Sequence, residues 1–171
     1  MGYAREYREG DENELAPILR QADLDELKAA CSEAPIDILR TGAHYSRPSV
    51  TIVGNSGLVA GMFGVVPQRD GSGVVWMLGS DEITKPPLSR QFIRECCTFV
   101  KVLESGYTEL HNVIDARNWV HRRWLEWLGF EFINRIPEYG VERRPFLEFK
   151  KICVWQHQHQ AEPQPPQGEP H

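Results

Sequence analysis

His121 stands three residues after Asn118 in the run Asn118-Trp-Val-His-Arg-Arg-Trp-Leu-Glu-Trp-Leu-Gly129-Phe130. An imidazole titrates near neutral pH, so this side chain has the right chemistry to accept a proton from an amine as a general base. On a helical wheel Val120, Trp124, Trp127 and Leu128 form the apolar arc, and His121 lies at its edge. The ordinary role of a histidine at that position is to fill space, partly buried and hydrogen-bonded. His111, in the apolar run before this segment, and Asn112 beside it are further polar candidates, and the ordinary role of both is structural. His44 reads as a solvated loop histidine. Cys153, His157 and His159 have metal-ligating types, but no fourth ligand accompanies them and no metal is expected.

The elements that must position these groups are legible in outline. Tyr3 to Arg8 alternates like a short strand. A helical region runs from about Glu12 to Ser32, interrupted at Pro17, which has no N–H to donate. Asp23 and Glu26 form a capping-box pattern for its second half. Ile36 to Thr41 predicts one or two helical turns. Ser49 to Gly54 and Leu58 to Val66 are β-branched runs joined by Asn55-Ser56-Gly57, a hairpin signal, and Val74 to Leu78 is a third strand. Leu88 to Glu104 is a helix with Leu88, Phe92, Cys96, Phe99 and Leu103 on one stripe. Glu109 to Ile114 is a strand and Asn118 to Leu128 a helix, with Asn118 able to cap its start and Gly129 its end. Glu131 to Ile136 and Phe146 to Val154 are the last strands. The order predicts an α/β (α+β) fold with a mixed, mostly antiparallel central sheet flanked by helices.

Composition bounds the rest. The 171 residues, 41% hydrophobic, predict one domain over 1–154, and a Pro/Gln-rich remainder over 155–171 that reads as a flexible tail. Net charge is −5, which disfavours a nucleic-acid partner. Residues 1–34 carry nine acids and four bases, so the excess lies in the front end and predicts solvated acidic helices facing a basic partner. No apolar run approaches the ~20 residues of a membrane helix. Four cysteines without Cys-x-x-Cys spacing suit a reducing cytoplasm.

The Asn118 to Phe130 segment resembles the fourth helix of the GNAT (Gcn5-related N-acetyltransferase) superfamily. The matching positions are the helix-opening Asn118, then Trp124, Leu128, Gly129 and Phe130. A narrower resemblance spans residues 3 to 153. LRQADLDEL at 19–27, VWMLGSDEI at 75–83 and LHNVIDARNWVHRRWLEWLGFEF at 110–132 look like the GNAT-like internal virion or head-assembly proteins of short-tailed phages.

The superfamily resemblance implies acetyl-CoA or another acyl-CoA as cofactor. It would lie along the backbone of Met77, Leu78 and Gly79, with Asn112 and Asn118 nearby and His121 or His111 as candidate catalytic groups. Two departures stand against this. The family's pyrophosphate loop is rich in glycine and offers free N–H groups, whereas Gly79-Ser-Asp-Glu-Ile-Thr-Lys-Pro-Pro-Leu88 has Pro86 and Pro87 without N–H and two acids. Leu125 occupies the position where many active members have a proton-donating Tyr. The phage resemblance implies a protein partner in head or internal-core assembly, in host cytoplasm or inside the virion. Working N-acyl transfer to an amine is the alternative.

Overall fold

The computed structural model describes residues 2–153; the expected tail and two of the candidate metal ligands, His157 and His159, lie outside them. Seven strands form one sheet: β1 (Tyr3–Glu6), β2 (Ser49–Val53), β3 (Val59–Pro67), β4 (Gly73–Gly79), β5 (Glu109–Asp115), β6 (Glu131–Tyr139) and β7 (Arg144–Ile152). Their order across the sheet is β1-β2-β3-β4-β5-β7-β6. Every neighbouring pair is antiparallel except β4 and β5, which run parallel and pair only at Gly73↔Leu110 and Val74↔His111. Beyond that register the two strands diverge, opening a cleft in mid-sheet.

Among the described residues the α-helices are α1 (Asp11–Leu15), α2 (Gln21–Ala30), α3 (Pro35–Tyr45), α4 (Leu88–Glu104) and α5 (Trp119–Trp127). The sheet separates two apolar layers. Leu15, Leu39 and Ala43 from α1 and α3 meet Val59, Met62 and Leu78 in one. Cys96, Val100 and Leu103 of α4 and Leu125 of α5 meet Phe63, Val65, Ile114 and Phe149 in the other. β3 lies between these layers and is buried from Val59 to Val65, so its sequence is a continuous apolar run rather than an alternation.

Several expectations are corrected by packing. The one or two turns expected at Ile36 to Thr41 are an eleven-residue helix, α3. Pro35 at its first turn presets φ, and Leu39 and Ala43, one turn apart, bury against the sheet. His44 is therefore an exposed residue in the last turn of a helix, not in a loop. The apolar arc of α5 is phased differently from the wheel: Leu125 is buried, while Val120 and Trp127 are 46% and 54% exposed. Indole rings bring hydrophobicity to a sequence wheel without stating which way they face. Gly129 does end α5 in the left-handed region, at φ 84°.

The acidic front end is corrected in part: Glu6, Glu9, Glu14, Asp25 and Glu33 are exposed as expected. Asp11, Glu12 and Asp23 are buried, not solvated. Asp11 accepts from Arg5 at 2.7 and 2.8 Å and from the Thr51 hydroxyl at 2.6 Å. Glu12 accepts from the Tyr7 hydroxyl, the Gly10 N–H and the Arg40 guanidinium. These charges hold α1 to β1, β2 and α3, and are not on offer to a basic partner.

Candidate functional site

The parting of β4 from β5 is maintained by side chains that take over from the missing ladder. Ser80 N–H bonds to Ala60 O, so even-numbered positions of β4 face β3 and odd-numbered ones face the cleft. At the cleft edge the Val75 carbonyl accepts from Asn112 Nδ2 at 2.8 Å. Asn112 Oδ1 accepts from Val113 N–H at 2.7 Å, so its amide is engaged at both ends as a clasp where the strands separate. Two positions farther up, Met77 presents its backbone to the opening by the same parity.

Gly79 is the third odd position, and its backbone is already bound. Its N–H donates to Asp23 Oδ2 at 2.9 Å, and its carbonyl accepts from Arg20 N–H at 2.9 Å. Arg20 and Asp23 are in turn an ion pair with a 2.5 Å contact. Asp23 thus does not cap its own helix, as the capping-box pattern suggested. It stands at the third residue of α2, whose N-cap is Arg20, and caps the end of a strand instead.

One turn farther along α2, Glu26 reaches across the cleft. Its Oε2 accepts from Asn118 Nδ2 at 3.1 Å and from Asp115 N–H at 3.3 Å. Asn118 occupies the N-cap position of α5 but makes no capping bond, because its side chain is turned to Glu26. Glu26 retains some surface exposure, yet protein atoms crowd its carboxyl. Burial pushes its pKa up to about 7, against the Asn118 hydrogen bond and with Asp23 repulsion in support. Asp115 goes the other way: burial opposes its charge, but the Arg117 hydrogen bonds outweigh that and hold it below the usual carboxylate range.

His121 lies on the same side of the cleft, stacked on Trp124 with ring centroids 5.3 Å apart. Its Nδ1 is buried and has no hydrogen-bond partner among the described residues. Burial pushes its pKa down to about 4, with Asp23 opposing the fall and Arg20 adding to it. At neutral pH it is an uncharged imidazole lining a cavity that Glu26 also lines. His111 is elsewhere, at the paired end of β4 and β5, where Nε2 lies 3.2 Å from the Ser72 hydroxyl.

Glu26, Met77, Phe92, Asn112, His121 and Trp124 are among the residues lining a cavity of about 260 Å³ that extends from the cleft beneath α4. Its walls are mainly apolar. Among the candidate residues, Met77, Leu78, Asn112 and His121 are brought to this cavity; His111, Gly79 and Asn118 do not line it. Arg20, Asp23 and Glu26 were missed as site residues. Their spacing of three was a signal, since it places them along one side of a helix.

The residues present do not fit an acyl-CoA at two places. Its polar arm would need the strand edge at Gly79, which Asp23 and Arg20 occupy. Its diphosphate would need free N–H groups after β4. There Ile83, Lys85, Ser89 and Gln91 N–H bond to Ser80 O, Glu82 O, Lys85 O and Pro87 O, and Pro86 and Pro87 have none, which leaves few N–H groups, such as those of Leu88 and Arg90, for an anion. Glu82 folds back to accept from Asn55 N–H at 2.9 Å, placing a carboxylate beside the turn. Leu125, where a proton donor would stand, is buried in the core. Among the described residues no cluster of three His, Cys, Asp or Glu side chains could hold a metal, and no helix is long and apolar enough to cross a membrane.

Neither protein-family models nor curated protein sequences match the chain. Solved structures do. Ard1 from Thermoplasma volcanium superposes with a TM-score of 0.67 at 15% identity, covering 90% of this chain and 99% of that one. The ribosomal-protein-S18-alanine N-acetyltransferase from Escherichia coli gives 0.64 at 11%, covering 92% and 97%. A spermidine N-acetyltransferase from Vibrio cholerae, solved with CoA and spermine, gives 0.64 at 11%, covering 89% and 95%. At these identities the likeness establishes the architecture: the chain has the GNAT fold.

Proposed function

We propose that this chain is a GNAT-fold protein that works through protein contacts and not through acyl transfer, and that its place is the head or internal core of a short-tailed phage. The observation that carries the first half is the occupied backbone of Gly79. An edge that an acyl-CoA would need is bonded to Asp23 and Arg20 of the same chain. The proline-containing turn before α4 supports the same reading. The phage placement rests on the sequence resemblance of residues 19–27, 75–83 and 110–132 alone.

Acetyl-CoA-dependent transfer to an amine is the competing reading. It is favoured by Glu26, a carboxyl whose pKa of about 7 suits proton exchange near neutrality beside an open cavity. Isothermal titration of the full chain with acetyl-CoA decides between them. The proposal expects no saturable heat at millimolar cofactor. Micromolar binding with thiol release in the presence of amines overturns it. The phage assignment is tested separately by mass spectrometry of particles from the phage encoding this chain, where the protein is expected. Its absence from both mature particles and assembly intermediates rejects that assignment.

A further inference from the structure

The outer face of α5 is unusual for a surface helix. Trp119, Val120, Arg123 and Trp127 fall within an arc of about 100° at 3.6 residues per turn. Trp119, Val120 and Trp127 are 61%, 46% and 54% exposed, and Arg123 is exposed between the two indoles. Arg123 has no ion-pair or hydrogen-bond partner among the described residues. Two open tryptophans a little over two turns apart, with an arginine between them, have the composition of a binding hot spot. They form a shallow aromatic strip roughly 12 Å long.

We propose that this strip is the docking site of the chain's own C-terminal segment, Glu162-Pro-Gln-Pro-Pro-Gln-Gly-Glu-Pro170. Three observations select this occupant. The first is where the chain leaves the described region. β7 ends at Ile152, one residue after Lys151, whose Nζ donates to Leu128 O at 2.8 Å, at the C-terminal end of α5. The last described strand therefore ends near the C-terminal end of α5. The second is length. Pro163 lies ten residue steps after Cys153, a reach of up to ~33 Å, more than enough to lay a segment along a nine-residue helix about 13 Å long.

The third is chemistry. A proline-rich segment favours the polyproline II conformation, rises ~3.1 Å per residue and gives up little entropy when it settles on aromatic rings. Pro166 and Pro170, four residues apart, match the ~12 Å between the indoles. The segment carries Glu162 and Glu169 and, from Trp155 to His171, no Lys or Arg. Its charge complements Arg123. The inference is independent of whether the cleft is catalytic, because α5 presents this strip away from the core that Leu125 enters.

The test uses the full chain with its five tryptophans replaced by 5-fluorotryptophan, each fluorine resonance assigned by a Trp→Phe variant. Docking predicts that Trp119 and Trp127 are protected from iodide, and that Pro163→Gly, Pro165→Gly and Pro166→Gly together raise their quenching several-fold while Trp76 and Trp124 stay unchanged. Arg123→Glu is expected to reproduce the loss, and adding Glu162→Lys and Glu169→Lys to it to restore protection. Equal accessibility of Trp119 and Trp127 with and without the prolines overturns the proposal. Protection that disappears on dilution also overturns it, because the occupant is then a neighbouring chain.

Discussion

Glu26 and Asn118, ninety-two residues apart in the sequence, meet across the parted strands at 3.1 Å. The asparagine gives up its capping bond for this contact, and the glutamate holds a proton more tightly than it would in water. The pair ties α2 to the start of α5, directly over the cleft.

Glu26 makes stability depend on pH in a stated direction. Below about pH 4.5, its ordinary value, folded and unfolded chains both hold the proton. Between there and about pH 7 the unfolded chain ionises while the folded one resists, so the stabilisation present at low pH is lost as pH rises through the folded value. Glu26→Gln keeps the shape and removes the titration. Unfolding free energies from denaturant titrations at pH 5 to 8 should fall with pH more in the parent than in the variant, by on the order of 3 kcal/mol at full extent. Parallel curves would reject the assignment.

His121 acts with the opposite sign. Its folded pKa of about 4 lies below the ordinary 6.5, so its contribution is complete above that value and is lost as pH falls through 4. His121→Phe should therefore flatten the acid side of the stability curve and leave the alkaline side unchanged. Chemical shifts of the ring protons should show no titration between pH 5.5 and 8.

Asp23 bonds the edge of Gly79 that faces the cleft, where β5 supplies no ladder. Asp23→Ala leaves Gly79 N–H and the Arg20 guanidinium without their partner in a buried setting. A loss of roughly 3 kcal/mol is expected in urea denaturation. Asp23→Asn, which keeps an acceptor for Gly79, should cost clearly less; equal costs would mean that the strand contact is unimportant.

The phase of α5 separates two residues that look alike on paper. Leu125→Ala should lose about 2–4 kcal/mol, because it opens a cavity among Phe130, Phe149 and their neighbours. Val120→Ala should stay within about 0.5 kcal/mol. The reverse ranking would restore the arc drawn from sequence.

Gly129 offers a test of backbone alone. A Cβ there would meet only the Lys151 side chain, at 3.6 Å and beyond. The cost of Gly129→Ala, about 1–2 kcal/mol, should therefore come from holding φ at 84°, and Gly129→Asn should recover part of it.

By itself the sequence determined the succession of elements, the long stripe of α4 and the turn at Gly129, because these follow from local periodicity and from what glycine and proline permit. It also disclosed two prolines without N–H groups, Pro86 and Pro87, in the turn before α4. Only the tertiary structure decided where the charge at the front end goes. Carboxylates at 11, 12, 23 and 26 look like a solvated face until strands brought from residues 49–53, 73–79 and 109–115 supply a hydroxyl and N–H groups, and Arg5, Arg20 and Arg40 supply guanidinium partners. The same holds for Asn118, a cap by local rule and a cross-cleft donor in fact, and for the direction in which each tryptophan of α5 points. Local sequence states which bonds a residue can make. The partners that compete for those bonds come from distant parts of the chain, and their arrival is a property of the folded sheet.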